Sequence, residues 1–206
     1  GGVIVPPASY WPGLRQLLDH HGILLISDEI VTGFGRIGSM CGARAWGVKP
    51  DIMAMATGIN SGYVPLGATL VNERVAQAWD QPNVPAAMMH GYTYSGHALA
   101  CAAANANLQI VESEDLPAHA QAVGYYMQER LKELMVYHHV GDVRGKGMMS
   151  AIELVQSKST RDMLLPPSPY ITTLVNSARQ AGAIIRVQGN RLILSPPLVF
   201  KALTAP

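Results

Sequence analysis

A four-residue apolar run, Ile23-Leu24-Leu25-Ile26, ends directly in Ser27-Asp28-Glu29. A short, continuous run with branched residues predicts a strand buried on both faces, the kind found in parallel sheets covered by helices. Two carboxylates at its end need partners, because an ionised group taken out of water requires a cation or several hydrogen bonds. The run therefore points to an open α/β sheet with polar groups at its strand ends. Such sheets bind ligands in the crevice outside the carboxyl ends of their strands. Two readings of the acid pair stand side by side: a carboxylate that caps a neighbouring helix, and one aimed into that crevice.

The rest of the chain alternates in the same way. Pro12 suits a first helical turn, Leu14, Leu17 and Leu18 form a stripe, and Gly22 ends the segment, so residues 12–21 read as a helix. Residues 51–56 and 67–71 read as two more short strands, and Asn72 caps a helix running to 79. Residues 97–113 form an Ala-rich helix and 117–136 an amphipathic one. Residues 140–147, rich in Gly and charge, read as a turn between units. Residues 148–155 follow as a strand, 169–180 as a helix closed by Gly182, and 183–187 with 191–195 as a hairpin around Gly189-Asn190. The first part predicts an α/β unit with a mainly parallel sheet. The last third predicts a smaller α+β lobe, with the division at 139/140.

Composition excludes several classes of function. The chain has 206 residues, 49% of them hydrophobic, enough for one sizeable core or a core with a smaller lobe. A formal charge of +1 gives no argument for nucleic acid or an anionic membrane as partner. No apolar run approaches the length of a membrane span. Two cysteines, Cys41 and Cys101, make no disulfide framework and suggest reduced thiols in a cytoplasmic protein. The chain does not open on Met, which is expected of a processed chain or of a piece of a longer one.

Three motifs carry possible chemistry. Gly33-Phe34-Gly35-Arg36-Ile37-Gly38 matches G-x-G-x-x-G, but a dinucleotide fingerprint follows a strand directly and opens an amphipathic helix. Here the glycines lie beyond the strand and Ser39-Met40-Cys41-Gly42 is a poor helix start, so a tight loop is the favoured reading. Asp28, if aimed into the crevice, suits pyridoxal phosphate (PLP) chemistry. An Asp beside the pyridine nitrogen keeps it protonated and makes the ring an electron sink. Gly91-Tyr92-Thr93-Tyr94-Ser95-Gly96, just before a helix, could seat a phosphate, or Ser95 or Thr93 could simply cap that helix. The adjacent pairs His20-His21 and His138-His139 read as solvated or capping side chains. No metal-ligand spacing occurs.

Long ordered blocks carry a resemblance to one family, the class III PLP-dependent aminotransferases of the ω-amino acid:pyruvate type. Ser27-Asp28-Glu29-Ile30-Val31-Thr32-Gly33-Phe34-Gly35-Arg36 resembles its Asp-Glu block. Residues 50–68, with Ala56-Thr57-Gly58-Ile59-Asn60-Ser61-Gly62-Tyr63, resemble its lysine block. His90-Gly91-Tyr92-Thr93-Tyr94-Ser95-Gly96-His97 resembles its phosphate block, and Arg186 with Leu194-Ser195-Pro196-Pro197-Leu198 its C-terminal lobe. The resemblance runs to about Phe200.

It implies PLP-dependent transferase fold type I: residues 1–139 as part of the large PLP-binding domain, and 140–206 as a truncated small α+β C-terminal domain. It implies that Asp28 meets the pyridine nitrogen and Ile30 packs on the ring. Tyr92 and Thr93 would bind the phosphate of the other subunit's cofactor, which implies a homodimer with shared active sites. Arg186 would meet a substrate carboxylate through a planar, always charged guanidinium. The implied reaction moves an amino group from an amine or ω-amino acid donor to a keto acid such as pyruvate, and relatives within the fold isomerise or racemise amino acids.

Two departures qualify this. Thr57 occupies the Schiff-base lysine position, and a hydroxyl forms no imine and is a very weak base. Lys49, Lys132, Lys146, Lys158 and Lys201 all lie outside that block. The chain also corresponds to about half a family member. The expectation is a chain that is inactive as it stands, or a non-catalytic remnant that dimerises or binds PLP without a covalent link.

Overall fold

The computed structural model describes residues 1–80, 82, 88–165 and 168–201. Residues 202–206, the end of the expected small domain, lie outside the described residues. The chain divides into two compact units, Pro6–Ala118 and Gly1–Val5 with His119 onward. The helix expected at 117–136 thus falls largely in the second unit, ahead of the 139/140 division read from the sequence.

The first unit runs α1 (Tyr10–His20), β1 (Ile26–Asp28), α2 (Gly42–Ala45), β2 (Ile52–Met55), a 3-10 turn (Thr57–Asn60), β3 (Ala68–Val71), α3 (Glu73–Ala76) and α4 (Ala98–Ser113). Its sheet has the order β1-β2-β3. β1 and β2 are parallel, with Asp28 paired to Ala54, whereas β2 and β3 are antiparallel, with Met55 paired to Ala68. The sheet is therefore mixed rather than mainly parallel. The reason lies in residues 56–67, which hold only a 3-10 turn, whereas a parallel return needs a long crossover, usually through a helix.

The founding strand is also shifted from the apolar run. Leu25 is buried, but Ile23, Leu24 and Ile26 are 51%, 42% and 64% exposed. The Leu25 carbonyl accepts from both Asp51 N (2.8 Å) and Ile52 N (3.1 Å), and the parallel ladder starts at Ile26, paired to Ile52.

Asp51 is the electrostatic anchor of this unit. It is buried, and its carboxylate accepts from Leu25 N at 2.7 Å, Arg15 Nη1 of α1 at 2.8 Å and Asn72 Nδ2 at 2.9 Å. Asn72 in turn caps α3 by accepting from Val75 N, the role expected of it. Burial pushes the Asp51 carboxyl up, but the Leu25 N–H, the Arg15 guanidinium and the Asn72 amide outweigh it and hold the group at about 2.

The second unit contains α5 (Leu116–Lys132), β4 (Val140–Lys146), β5 (Met149–Leu154), α6 (Pro169–Gln180), β6 (Arg186–Gln188) and β7 (Arg191–Leu194). Its sheet order is β4-β5-β7-β6, and every neighbouring pair is antiparallel. Val140, Ile152, Leu154, Ile171 and Leu192 form the core beneath α6. The hairpin at Gly189-Asn190 stands where the sequence put it, with Gln188 paired to Arg191 and Gly189 at φ 62°.

Of residues 140–147, expected as a turn, 140–146 form strand β4, while Gly147, at φ 55°, does turn the chain toward β5. Gly141 and Gly145 serve close approach rather than turning. A Cβ on Gly141 would fall 2.5 Å from Val155 Cγ1, and one on Gly145 2.4 Å from Ser150 Oγ. Gly124 of α5 is tighter still, since a Cβ there would lie 2.1 Å from the Gly147 carbonyl oxygen.

Among the described residues, no helix is long and apolar enough to cross a membrane, and no group of three or more His, Cys, Asp or Glu side chains could hold a metal ion.

Two outcomes follow from this packing. Gly124→Ala forces α5 off the β4–β5 turn and destabilises the chain by about 1–3 kcal/mol in denaturant unfolding. Asp51→Asn lowers the thermal midpoint near neutral pH. Because the folded pKa of Asp51 lies below its ordinary value, its stabilisation is complete above about pH 4. That stabilisation is lost as pH falls toward about 2, so the gap between wild type and Asp51→Asn closes over that interval.

Candidate active site

The parallel pairing of β1 and β2 sets the frame. Asp28 ends β1 opposite Ala54, and Thr57 follows Ala54 by three residues on β2, just past the strand end. Both stand at the carboxyl ends of parallel strands, where open sheets bind ligands. The Asp28 side chain is exposed, and its Oδ1 accepts from the Ile30 backbone N–H at 3.0 Å. Ile30, beside it, is exposed as well.

The two acids of the pair have separate tasks. Glu29 is only 1% exposed and accepts hydrogen bonds from backbone and hydroxyl donors. They come from Gly42 N (2.6 Å), Ala43 N (2.7 Å), Ser27 Oγ (3.1 Å) and Thr32 Oγ1. The first two are the free N–H groups that open α2, so the helix-capping reading belongs to Glu29 and the crevice reading to Asp28.

The glycine loop is a succession of turns. Gly33 N donates to the Glu29 carbonyl, Phe34 N to Met40 O at 2.7 Å and Gly38 N to Gly35 O. It opens no amphipathic helix, since α2 has four residues and begins at Gly42, so a dinucleotide fingerprint is ruled out here. Phe34 holds a left-handed backbone, φ 58°, and is buried. Its ring lies against Gly58, where a Cβ would come within 2.8 Å of Phe34 Cδ2. Burial pushes the Arg36 guanidinium below its ordinary pKa.

The turn that carries Thr57 is fastened from two sides. Within the turn, buried Asn60 donates to Val64 O at 2.7 Å and accepts from Gly62 N at 3.1 Å, while Gly62 N also donates to Thr57 O. From α4, the Asn107 amide donates to Gly58 O and Ile59 O, each at 3.1 Å, and accepts from Ser61 Oγ at 2.6 Å. Sequence reading passed over Asn107. The available signal was an amide inside an Ala-rich helix, where it gains nothing from helix propensity. Thr57 itself is exposed.

Tyr92 and Thr93 belong to a separate exposed turn before α4, closed by Tyr92 N donating to Ser95 Oγ and Ser95 N donating to Tyr92 O, both 2.9 Å. Neither Ser95 nor Thr93 caps α4. His97 does, its Nδ1 accepting from Ala100 N at 3.4 Å, because Gly96 at φ 68° breaks the chain between Ser95 and the first helical turn. Arg186 begins edge strand β6 of the other unit and is exposed. The first unit thus brings Asp28, Ile30 and Thr57 to one sheet end. A cavity of about 550 Å³, lined by Arg44, Lys49, Asp51, Met53 and Leu70 among others, lies toward the opposite end of β2 and contains none of them.

Compared with known proteins, residues 1–205 match the family model described as Aminotransferase class-III. The putrescine–pyruvate aminotransferase of Pseudomonas aeruginosa is 40% identical over 201 residues, covering 97% of this chain and 43% of that protein. The omega-aminotransferase of Caulobacter vibrioides is 38% identical over 201 residues, covering 97% and 44%. Among solved structures, an amine transaminase from an uncultivated Pseudomonas species, in its PLP-bound (internal aldimine) form, shares 55% identity at TM-score 0.94, over 97% of this chain and 46% of its own. The architecture is that of the fold type I transferases. The chain spans less than half the length of these relatives.

Asn107→Ala removes three hydrogen bonds from the turn and loosens it by about 1–3 kcal/mol. The check is amide exchange at Gly62, which accelerates while the interior amides of α4 keep their protection.

Proposed function

The chain belongs to the class-III aminotransferases, and on that premise we propose that the whole protein holds PLP at the carboxyl ends of β1 and β2 yet does not turn over. The observation that carries this is Thr57 at the end of β2, where the family's lysine stands. The residues fit the ring of the cofactor: Asp28 ends its strand exposed, oriented by Ile30 N–H, with the Ile30 side chain exposed beside it. They do not fit its covalent attachment, since Ala56-Thr57-Gly58 offers no amine.

When bound, PLP supplies an electron sink for bonds to a substrate carbon. Asp28 keeps a proton on the pyridine nitrogen, and Ile30 packs on one face of the ring. Tyr92 and Thr93, exposed ahead of α4, supply hydroxyl and backbone donors to the phosphate in a neighbouring subunit, so the working unit is a homodimer. Arg186 pairs with a substrate carboxylate. The substrates of the lineage are an amine donor and a keto-acid acceptor. Thr57 neither forms the covalent link nor acts as a base that could take up and return a proton near neutral pH. Within the whole protein, residues to 139 belong to the large domain and those from 140, where β4 starts, to the small one, with α5 as the link that packs with the second compact unit. A cytoplasmic location is supported by the free thiols Cys41 and Cys101.

Cofactor binding without covalent attachment, the non-catalytic side of this reading, is supported by the fastening of the turn around Thr57. One test decides it. After incubation with PLP and reduction with borohydride, peptide mapping finds no PLP on residue 57, and the chain shows no transamination between an amine donor and pyruvate. In Thr57→Lys, reduction traps PLP on that residue. Transamination by the unaltered protein overturns the proposal.

A further inference from the structure

We infer that the site at Thr57 selects the amine form of the cofactor, pyridoxamine 5′-phosphate, over the aldehyde form. This rests on the reading of the site given above and narrows its ligand. The frame of the site is fastened by groups other than the side chain at 57. Asn107 and Asn60 hold the turn, and the Phe34 ring packs against Gly58, immediately after Thr57. The turn therefore presents residue 57 at a defined place beside the strand end that carries Asp28.

What the substitution removes is one potential cation and one nucleophile. Residues 56–63, Ala-Thr-Gly-Ile-Asn-Ser-Gly-Tyr, contain no basic side chain, and Asp28 and the buried Glu29 remain on the neighbouring strand. For the aldehyde form, the loss of the nucleophile removes its covalent tether and leaves a neutral hydrogen bond from the Thr57 hydroxyl. The aminomethyl group of the amine form is an ammonium near neutral pH. It brings the missing positive charge with it and donates to the Thr57 oxygen, which has lone pairs to accept. A hydrogen bond from a charged donor is about twice as strong as a neutral one. The amine form thus forfeits nothing to the change at 57, while the aldehyde form forfeits its strongest attachment.

The test uses the natural full-length protein carrying this chain, titrated calorimetrically in amine-free buffer. The probes are pyridoxamine 5′-phosphate, pyridoxal 5′-phosphate and pyridoxine 5′-phosphate, which differ only in amine, aldehyde or alcohol beside the ring. The expected result is affinity for the amine form about tenfold above the other two. Thr57→Val, similar in shape without the hydroxyl oxygen, costs the amine form its charged hydrogen bond and the alcohol only a neutral one, so the gap between them narrows. Thr57→Lys reverses the order in favour of the aldehyde. Equal binding of the three, or preference for the aldehyde or alcohol, overturns the selectivity and leaves the PLP-site reading standing, as does an amine affinity unmoved in Thr57→Val. Failure of all three to bind overturns both.

Discussion

The buried carboxylate of Glu29 is the constraint from which the site is built. A carboxylate that is 1% exposed is tolerated only when its lone pairs are filled, and backbone and hydroxyl donors fill them. Two of the donors open α2, so the strand end and the start of the helix are fixed to the same group. The residues between them must then return over a short distance, which makes the glycine loop a run of tight turns. Gly33 is held so closely that a Cβ would sit 2.7 Å from the Glu29 carbonyl oxygen. Phe34, forced to a positive φ that an aromatic residue rarely adopts, is kept there by burial and by its N–H donating a hydrogen bond to the Met40 carbonyl. Its ring then meets Gly58, and the chain of constraint ends beside residue 57.

The second half of the frame comes from α4. Asn107 satisfies two turn carbonyls and one hydroxyl at once. A 3-10 turn leaves carbonyls without partners inside itself, and an amide from a neighbouring helix is an economical way to satisfy them. None of these fixings involves the side chain at 57. The residue at 57 can therefore change without loss of the hydrogen bonds that hold the turn.

Much of this was legible in sequence, for a physical reason. Asn72 as a cap, α6 between Pro169 and Gly182, and the hairpin at Gly189-Asn190 depend on local stereochemistry, and local stereochemistry is written in adjacent residues. The strand end at Asp28 and the exposed turn at Tyr92 and Thr93 also follow from adjacent residues. What failed depended on partners distant in sequence. The apolar run at 23–26 reads as a strand, but its partner strand, far along the chain, pairs only from Ile26 and leaves Ile23 and Leu24 exposed. The direction of β3 is set by the absence of a crossover helix in 56–67, which periodicity within β3 cannot reveal. His97, not Ser95, caps α4 because of one backbone angle at Gly96.

The glycines of the second unit show why one residue type misleads in a single direction. Glycine is read as a turn signal because it supplies backbone freedom, yet at Gly141 and Gly145 neither a positive φ nor a turn is present. Their common property is the absence of a side chain where another strand passes within van der Waals distance. Gly124 plays the same part in a helix, where its propensity is poor, because the Gly147 backbone occupies the space a methyl would need. A glycine that makes room for a neighbour and a glycine that bends the chain are identical in sequence. They are told apart only by what lies opposite, and that is a property of the fold.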